Sequence, residues 1–234
     1  MTLSIIVLAA GKGSRMNSSL PKVFHEVGNY PMINHVLDTV ELLKPKDFIT
    51  VISDELIEFE KKLSEKYKQI KFARQKIRNG TADAVKVAMK QFRNDKTINT
   101  IILYGDTPLI ESKTLNKALS YFKKNSLDLC VLSMLPKSQQ NSYGRLYFDN
   151  GILSQIIEKI EITKDNITKC SDLCNTGIMI FNTEKLLENI YKVKNNNKKK
   201  EYYLTDLVNI FYQNQLKTGH FSCSEDECKG VNNM

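Results

Sequence analysis

The chain has 234 residues, of which 41% are hydrophobic and 26% are charged, and its formal net charge at pH 7 is +8. These values are typical of a folded globular protein and exclude a chain that is disordered throughout. No apolar run approaches the roughly 18 residues of a membrane span, and the N-terminus lacks the basic leader of a signal peptide, so we expect a cytoplasmic protein with no membrane partner.

Much of the excess positive charge lies in polar tracts such as KNNNKKK at residues 194–200. No aromatic residues alternate with this charge and no helix-turn-helix pattern accompanies it, so we expect a solvated loop and no nucleic-acid partner. Anionic small molecules are the partners that the net charge favours. The odd number of cysteines, five, argues against a disulfide framework.

Short apolar runs alternate with amphipathic segments from the N-terminus onward. Runs rich in branched residues predict buried strands at 3–9, 48–53, 100–105, 127–135 and 176–181. Apolar residues at helical spacing predict helices near 31–43, 54–67, 81–92 and 111–124. This alternation predicts an α/β protein with a mostly parallel sheet that is covered by helices on both faces.

The alternation weakens beyond about residue 140. Strand-like pieces occur at GRLYF (144–148) and ILSQIIEKI (152–160), and helical patterns occur near 183–191 and 203–213. We interpret this half as an extension of the same sheet and predict a single domain over residues 1–234. Ligands of such sheets bind beyond the carboxyl ends of the strands, so the loops that follow strands are the first places to look for chemistry.

The loop after the first strand, LAAGKGSRMNSSLPK at residues 8–22, combines small residues with positive charge. Gly11 and Gly13 let the backbone approach a ligand, and cations follow at residues 12, 15 and 22. This combination suits a polyphosphate, although a simple tight turn remains an alternative. The spacing excludes a P-loop, and Met16 occupies the third glycine position of the dinucleotide fingerprint.

The same loop resembles the signature of the sugar-phosphate nucleotidylyltransferases, and within them the uridylyltransferase domain of the bacterial bifunctional uridylyltransferase–acetyltransferases. The resemblance spans nearly the whole chain. It is carried, in order, by LAAGKGSRM, LPKVFHEVGNYPMINHVLD, NGTADAV, LYGDTPLI, SYGRL, QIIEK, NTGIMIF, EYYLTDL and GVNN. It implies a three-layer α/β/α, Rossmann-like nucleotidyltransferase fold with a mixed sheet, in which about 1–110 binds the nucleotide and about 111–234 binds the sugar.

The resemblance implies that N-acetylglucosamine 1-phosphate attacks the α-phosphorus of UTP and displaces pyrophosphate. Both substrates are anions, so the enzyme must neutralise charge and align the reacting groups. The second pKa of a phosphate monoester is about 6, and no protein base is required. The resemblance assigns catalytic roles to Arg15, at the β- and γ-phosphates, and to Lys22, at the α-phosphate and the sugar phosphate.

Asp106 follows the predicted strand TIILYG directly. A carboxylate there would repel a polyphosphate unless a hard cation lay between them, and Mg²⁺ takes one or two carboxylates together with phosphate oxygens. Position alone is equally consistent with a helix or turn cap. The resemblance assigns Asp106 and Asn232 as ligands of a Mg²⁺ cofactor, although Asn232 lies two residues from the end of the sequence, where chains fray unless docked.

The resemblance also assigns residues that bind the nucleotide and residues that bind the sugar. The nucleotide positions are Leu8, Ala9, Ala10, Gly11, Gly13, Gln75, Gly80 and Thr81. The sugar positions are Tyr104, Gly105, Gly144, Glu158 and Asn175. Strand-end packing for the two alanines, an outward-facing Glu158 and a turn role for Asn175 remain alternatives. Glu158 is predicted to lie in an apolar strand, where an unpaired charge would be costly.

The sequence departs from the family at three places, one of which is the run at Glu158, where EK and then IE replace the family's usual residues. Ala82 and Asp83 stand where the family commonly has glycine and histidine, which leaves open another nucleotide, another sugar 1-phosphate or, from a different class, a catalytically silent binding module. The sequence ends at GVNNM, before the β-helix of the bifunctional relatives. We therefore expect neither acetyl transfer nor trimerisation through that helix.

Overall fold

Nine strands form one mixed sheet in the computed structural model, which describes residues 2–11, 18, 20–92, 98–138 and 141–230. The strands are β1 (Leu3–Leu8), β2 (Asp47–Ile52), β3 (Ile70–Arg74), β4 (Asn99–Tyr104), β5 (Leu129–Met134), β6 (Arg145–Asp149), β7 (Ile152–Ile157), β8 (Cys170–Asn182) and β9 (Thr218–Ser222). Their order across the sheet is β3-β2-β1-β4-β8-β5-β9, and the β6–β7 hairpin joins through β6 to β8.

Strand direction brings the ends of four strands to one edge. β1 pairs in parallel with β2 and β4, so that Leu8 lies beside both Val51 and Tyr104, and β3 pairs in parallel with β2. β8 runs antiparallel to both β4 and β5. The segments that follow β1, β2, β3 and β4 therefore emerge side by side, which is where a ligand of this sheet would bind.

Helices cover both faces of the sheet. They are α1 (Met32–Leu42), α2 (Ile57–Lys66), α3 (Thr81–Met89), α4 (Ser112–Lys124), α5 (Thr183–Asn189), α6 (Asp206–Gln213) and the short α7 (Glu225–Cys228). Alternate residues of β1 enter opposite cores: Ile5 and Val7 pack with α1 and α4, whereas Ile6 and Leu8 pack with α3 and α6. No helix in the described ranges has the length and apolar character needed to span a membrane.

The predicted α/β fold with a mostly parallel, mixed sheet is confirmed, and the predicted strands and helices lie within a few residues of the observed ones. Two strands were missed, β3 and β9. Both lie at the outer edges of the sheet and pair with one neighbour only, and their sequences, IKFAR and TGHFS, contain no continuous apolar run. The predicted strand at 152–160 ends earlier, at Ile157, because residues 159–161 form a 3₁₀ turn in which the Glu161 N–H donates to the Glu158 carbonyl over 2.8 Å.

Candidate active site

A cavity of about 390 Å³ opens at the edge of the sheet where β1, β3 and β4 end, and we call it the glycine-loop cavity. It contains most of the residues that were predicted to bind the nucleotide. The predicted site residues that line it, which include Tyr104 from the sugar set and the predicted metal ligand Asp106, are Leu8, Ala9, Ala10, Gly11, Lys22, Gln75, Gly80, Thr81, Tyr104 and Asp106. The two alanines are 1% and 5% exposed, so their small side chains form wall and floor without filling the space.

Lys22 and Asp106 form an ion pair at this cavity. Lys22 begins a 3₁₀ turn directly after Pro21, and Asp106 lies in the turn that follows β4. The Gly105 N–H donates to the carbonyl of Leu8 over 3.0 Å, which fixes the start of that turn against the end of β1. A cation and a carboxylate that are 84 residues apart in sequence are thereby held together beside the glycine loop.

Gln75 and Gly80 form the opposite wall of the cavity. The Gln75 backbone N–H continues the β2 pairing by donating to Ile52 over 2.9 Å, while its side-chain Nε2 donates to the Gly80 carbonyl and to Asp83. Gly80 precedes α3 with φ +113° and ψ 177°. These angles are open essentially to glycine alone, so the residue type at position 80 is set by the backbone.

The backbone at Tyr202 closes over Gly80. The Tyr202 N–H donates to the Asn79 carbonyl over 2.7 Å, and its carbonyl accepts from Ala82 over 2.9 Å. A Cβ added to Gly80 would lie 2.5 Å from the Tyr202 oxygen, which no real side chain tolerates. The start of α3 is therefore clamped by a segment that is more than 100 residues further along the chain.

Arg78 is a residue of this cavity that sequence reasoning missed. Its Nε donates to the Ala10 carbonyl over 2.7 Å, and its guanidinium also reaches Ser53 and Glu55. It ties the start of the glycine loop to the end of β2. The signal available in the sequence was a cation between Gln75 and Gly80, but this loop has no periodicity that would have singled it out.

The predicted sugar residues lie beside the cavity and connect to it through Tyr104. Tyr104 packs against Gly177, where an added Cβ would come 2.7 Å from the ring. The Gly177 N–H donates to Asn175 Oδ1 over 2.9 Å, and the Asn175 N–H donates to the Gly144 carbonyl over 2.8 Å. Burial, and then the charge of Glu158, raise the pKa of the Tyr104 hydroxyl. Asn175 lies within β8, where its side chain accepts from the backbone two residues further on, and its role at the sugar stays a prediction.

The chain matches the nucleotidyl transferase family over residues 4–225. It belongs to this family. It is also 37% identical to the bifunctional protein GlmU of Wolbachia pipientis wMel, over 99% of this chain and 52% of that protein. The chain spans about half the length of the curated relatives it matches. The predicted resemblance is therefore confirmed.

Solved structures support the same fold for this nucleotidyl transferase family member. A UDP-glucose pyrophosphorylase complexed with UDP-glucose aligns with a TM-score of 0.74 and 16% identity, covering 95% of this chain and 91% of that chain. An inositol-1-phosphate CTP transferase from T. maritima aligns with a TM-score of 0.73 and 14% identity, covering 94% of this chain and 85% of that chain. At these identities the likeness is one of fold.

Glu158 does not line the glycine-loop cavity. It lies on a neighbouring cavity of about 570 Å³, with Tyr203 and Asp206. Its carboxylate accepts a hydrogen bond from Thr205 over 2.8 Å, and Oε2 lies 3.4 Å from the position of a Cβ added to Gly144. Burial raises the pKa of Glu158, and the hydrogen bond from Thr205 opposes that rise. The Glu158 carboxylate therefore has a hydrogen-bond partner. The prediction that Glu158 lies within an apolar strand is wrong, because β7 ends at Ile157.

Three of the predicted site residues lie outside the described residues: Gly13, Arg15 and Asn232. Their roles stay predictions. Within the described ranges, no group of three or more His, Cys, Asp and Glu side chains could hold a metal ion. Of the two predicted metal ligands, Asp106 lies within the described residues, and its role as a ligand stays a prediction.

Asp206 gives the region around Glu158 a pH dependence that can be measured. Burial, followed by the charges of Glu158 and Glu161, raises its pKa from an ordinary value of 3.8 to about 6. The folded chain therefore binds this proton more tightly than the unfolded chain, and the stability that results is present below about pH 4 and is lost as the pH rises through about 6.

We expect Asp206→Asn to raise the free energy of unfolding by about 1 kcal/mol at about pH 7.5 and to change it little at about pH 4. The value of about 1 kcal/mol is reduced for solvent screening, because the side chain is partly exposed. Urea titrations at both values measure this difference. Asp165→Asn, in an exposed turn, is the matched control. Equal effects of Asp206→Asn at the two pH values would contradict the assignment.

Proposed function

We propose that the chain transfers the uridylyl group of UTP to N-acetylglucosamine 1-phosphate, forming UDP-N-acetylglucosamine and pyrophosphate. The observation that carries this proposal is the glycine-loop cavity, where Lys22, Asp106 and the amide of Gln75 surround a space walled by Ala9 and Ala10. The cavity combines charged side chains suited to binding phosphates with an amide suited to binding a base. The relatives named GlmU favour this substrate pair.

The chemical step needs little more than charge and alignment. An oxygen of the sugar phosphate forms a bond to the α-phosphorus of UTP, and the bond from that phosphorus to the bridging oxygen breaks, so pyrophosphate leaves with the electron pair. The attacking phosphate is largely ionised at neutral pH because its second pKa is about 6. Lys22, which lines the cavity, is proposed to contact the α-phosphate and the incoming phosphate, and Arg15 is predicted to bind the β- and γ-phosphates.

Asp106 fits a role as a Mg²⁺ ligand. Its carboxylate lines the cavity with a side chain that is 23% exposed, and a protein site for Mg²⁺ needs only one or two carboxylates when phosphate oxygens complete the shell. Asn232 is the second predicted ligand. When bound, Mg²⁺ supplies charge neutralisation of the triphosphate. The residues of the chain orient the two substrates, and Lys22 already lies against this carboxylate.

The sugar is proposed to lie beyond Tyr104, toward Gly144, Glu158 and Asn175. The close approach of Gly144 to Glu158 leaves the carboxylate next to backbone, where hydroxyl and acetamide groups would find acceptors and donors. This arrangement divides the ligand between a nucleotide part near 1–110 and a sugar part near 111–234.

The test is pyrophosphate release by the purified protein with each nucleoside triphosphate and with N-acetylglucosamine, glucosamine and glucose 1-phosphates. We expect UTP with N-acetylglucosamine 1-phosphate to exceed other pairs by at least about 10-fold in kcat/KM, since a site built around a polar group rejects ligands that lack its partner. EDTA is expected to stop turnover, and added MgCl₂ to restore it. Preference for CTP, or for a sugar without the acetamide, would overturn the substrate assignment, and nucleotide binding without turnover would favour a silent binding module.

A further inference from the structure

The side-chain amide of Gln75 faces two acceptors that belong to the protein. Nε2 lies 3.0 Å from the carbonyl oxygen of Gly80 and 2.8 Å from Oδ2 of Asp83. Neither a carbonyl nor a carboxylate oxygen can donate a hydrogen bond, so the NH₂ end of the amide must point toward them. Both N–H groups of Gln75 are used in this way. Oε1 is therefore the polar atom that the amide offers to a ligand.

Donors lie next to that acceptor on the same wall of the glycine-loop cavity. Gly80 directly precedes α3, Thr81 is its first residue, and both line the cavity, whereas the Ala82 N–H already donates to the Tyr202 carbonyl. The first backbone N–H groups of a helix have no partner within the helix. An acceptor beside donors is complementary to an imide edge, in which a ring N–H is flanked by carbonyl oxygens. Uracil has this edge, whereas cytosine carries a lone pair at N3.

We propose that Asp83 is a positioning residue that sets base selectivity by holding Gln75 with Oε1 toward the base. The site then accepts a pyrimidine nucleotide that carries a proton on N3 in preference to cytosine. This inference rests on the proposed function, because it requires the base of the nucleotide to lie at Gln75. Without Asp83, the amide loses one of the two acceptors that fix its orientation and can turn to offer an N–H to N3 of cytosine.

Asp83 also has a purely structural role from which the proposal must be separated. It lies in the first turn of α3, where a negative charge interacts favourably with the helix dipole. Glu184 also lies in the first turn of its helix, α5, where it is exposed and does not line the glycine-loop cavity. Glu184→Ala therefore reproduces the loss of a first-turn charge without the loss of a Gln75 partner.

The experiment compares wild type, Asp83→Ala, Asp83→Asn and Glu184→Ala. For each, kcat/KM is measured with UTP and with CTP at a fixed concentration of N-acetylglucosamine 1-phosphate, and binding of both nucleotides is measured by calorimetry. We expect Asp83→Ala to lower the UTP-to-CTP ratio about 10-fold, which corresponds to about 1.4 kcal/mol, because the amide can then turn either its oxygen or its N–H toward the base. Asp83→Asn keeps an acceptor oxygen and is expected to retain most of the ratio, and Glu184→Ala is expected to retain all of it.

The possible outcomes separate this inference from the proposed function. If Asp83→Ala weakens use of UTP and CTP equally, Asp83 only stabilises the helix and the inference is wrong. If the wild-type protein shows no turnover yet binds UTP more tightly than CTP, and Asp83→Ala erodes that difference, the inference stands while the proposed reaction fails. Equal binding of UTP and CTP by the wild-type protein would overturn the inference.

Discussion

Asp106→Asn is expected to lower kcat for pyrophosphate release about 10²–10³-fold in the presence of MgCl₂, which is the scale seen when one preorganised electrostatic group is removed from an active site. Asparagine keeps the shape of the side chain but removes the charge that pairs with Lys22 and that is proposed to hold a divalent cation. The measurement is steady-state turnover with UTP and N-acetylglucosamine 1-phosphate across a range of MgCl₂ concentrations.

Asp54→Asn is the matched control for this variant. Asp54 follows β2, at the same edge of the sheet, but its side chain is exposed and does not line the glycine-loop cavity. We expect turnover of Asp54→Asn to stay within about twofold of wild type, as is usual for surface substitutions. Near-normal turnover of Asp106→Asn would mean that the reacting phosphates lie elsewhere.

Gly80→Ala is expected to lower the free energy of unfolding by about 3–5 kcal/mol, because two costs add at this position. The backbone has φ +113°, and the new Cβ would meet the oxygen and nitrogen of Tyr202 at 2.5 and 2.7 Å. Urea denaturation measures the change in stability. Any folded fraction is also expected to bind UTP more weakly, since the Gly80 carbonyl helps to orient Gln75.

Gly151→Ala is the control that separates the cost of backbone strain from the cost of the steric clash. Gly151 also has a positive φ, +80°, but nothing lies within 4 Å of an added Cβ. We expect it to lose only about 1 kcal/mol, the strain of a left-handed backbone without a clash. If Gly80→Ala were no less stable than Gly151→Ala, the clamp between the start of α3 and Tyr202 would not exist in the folded protein.

The positions of Asp106 and Lys22, although not their roles, were predictable because each follows a strong local signal. Asp106 comes directly after an apolar strand and Lys22 directly after a proline that ends the glycine loop, so the position of each relative to its own strand is fixed within a few residues. The parallel pairing of β1 with β4 then places both at one edge. Arg78 has no such signal, since its role depends on where the Ala10 carbonyl lies in space.

The edge strands and the end of the strand before Glu158 could not be predicted from local signals in the sequence. β3 and β9 each have one neighbour in the sheet, so they need no continuous apolar run and leave little trace in the sequence. The run that contains Glu158 is apolar enough to predict a strand through residue 160, but a 3₁₀ turn ends it at Ile157. The Glu158 carboxylate lies on a different cavity from the one that Asp106 lines.

By itself, the sequence determined the alternation of strands and helices, the glycine loop and the chemical types at the site, because periodicity and turn residues act over a few neighbouring positions. Only the tertiary structure decided that Tyr202 clamps Gly80, that Arg78 holds Ala10 and that Asp83 orients the Gln75 amide. These contacts are decided by how α3 packs against the sheet and by which backbone segment closes over its first turn. Hydrogen-bond geometry is sensitive to shifts of a few tenths of an ångström, which is finer than any spacing in the sequence can specify.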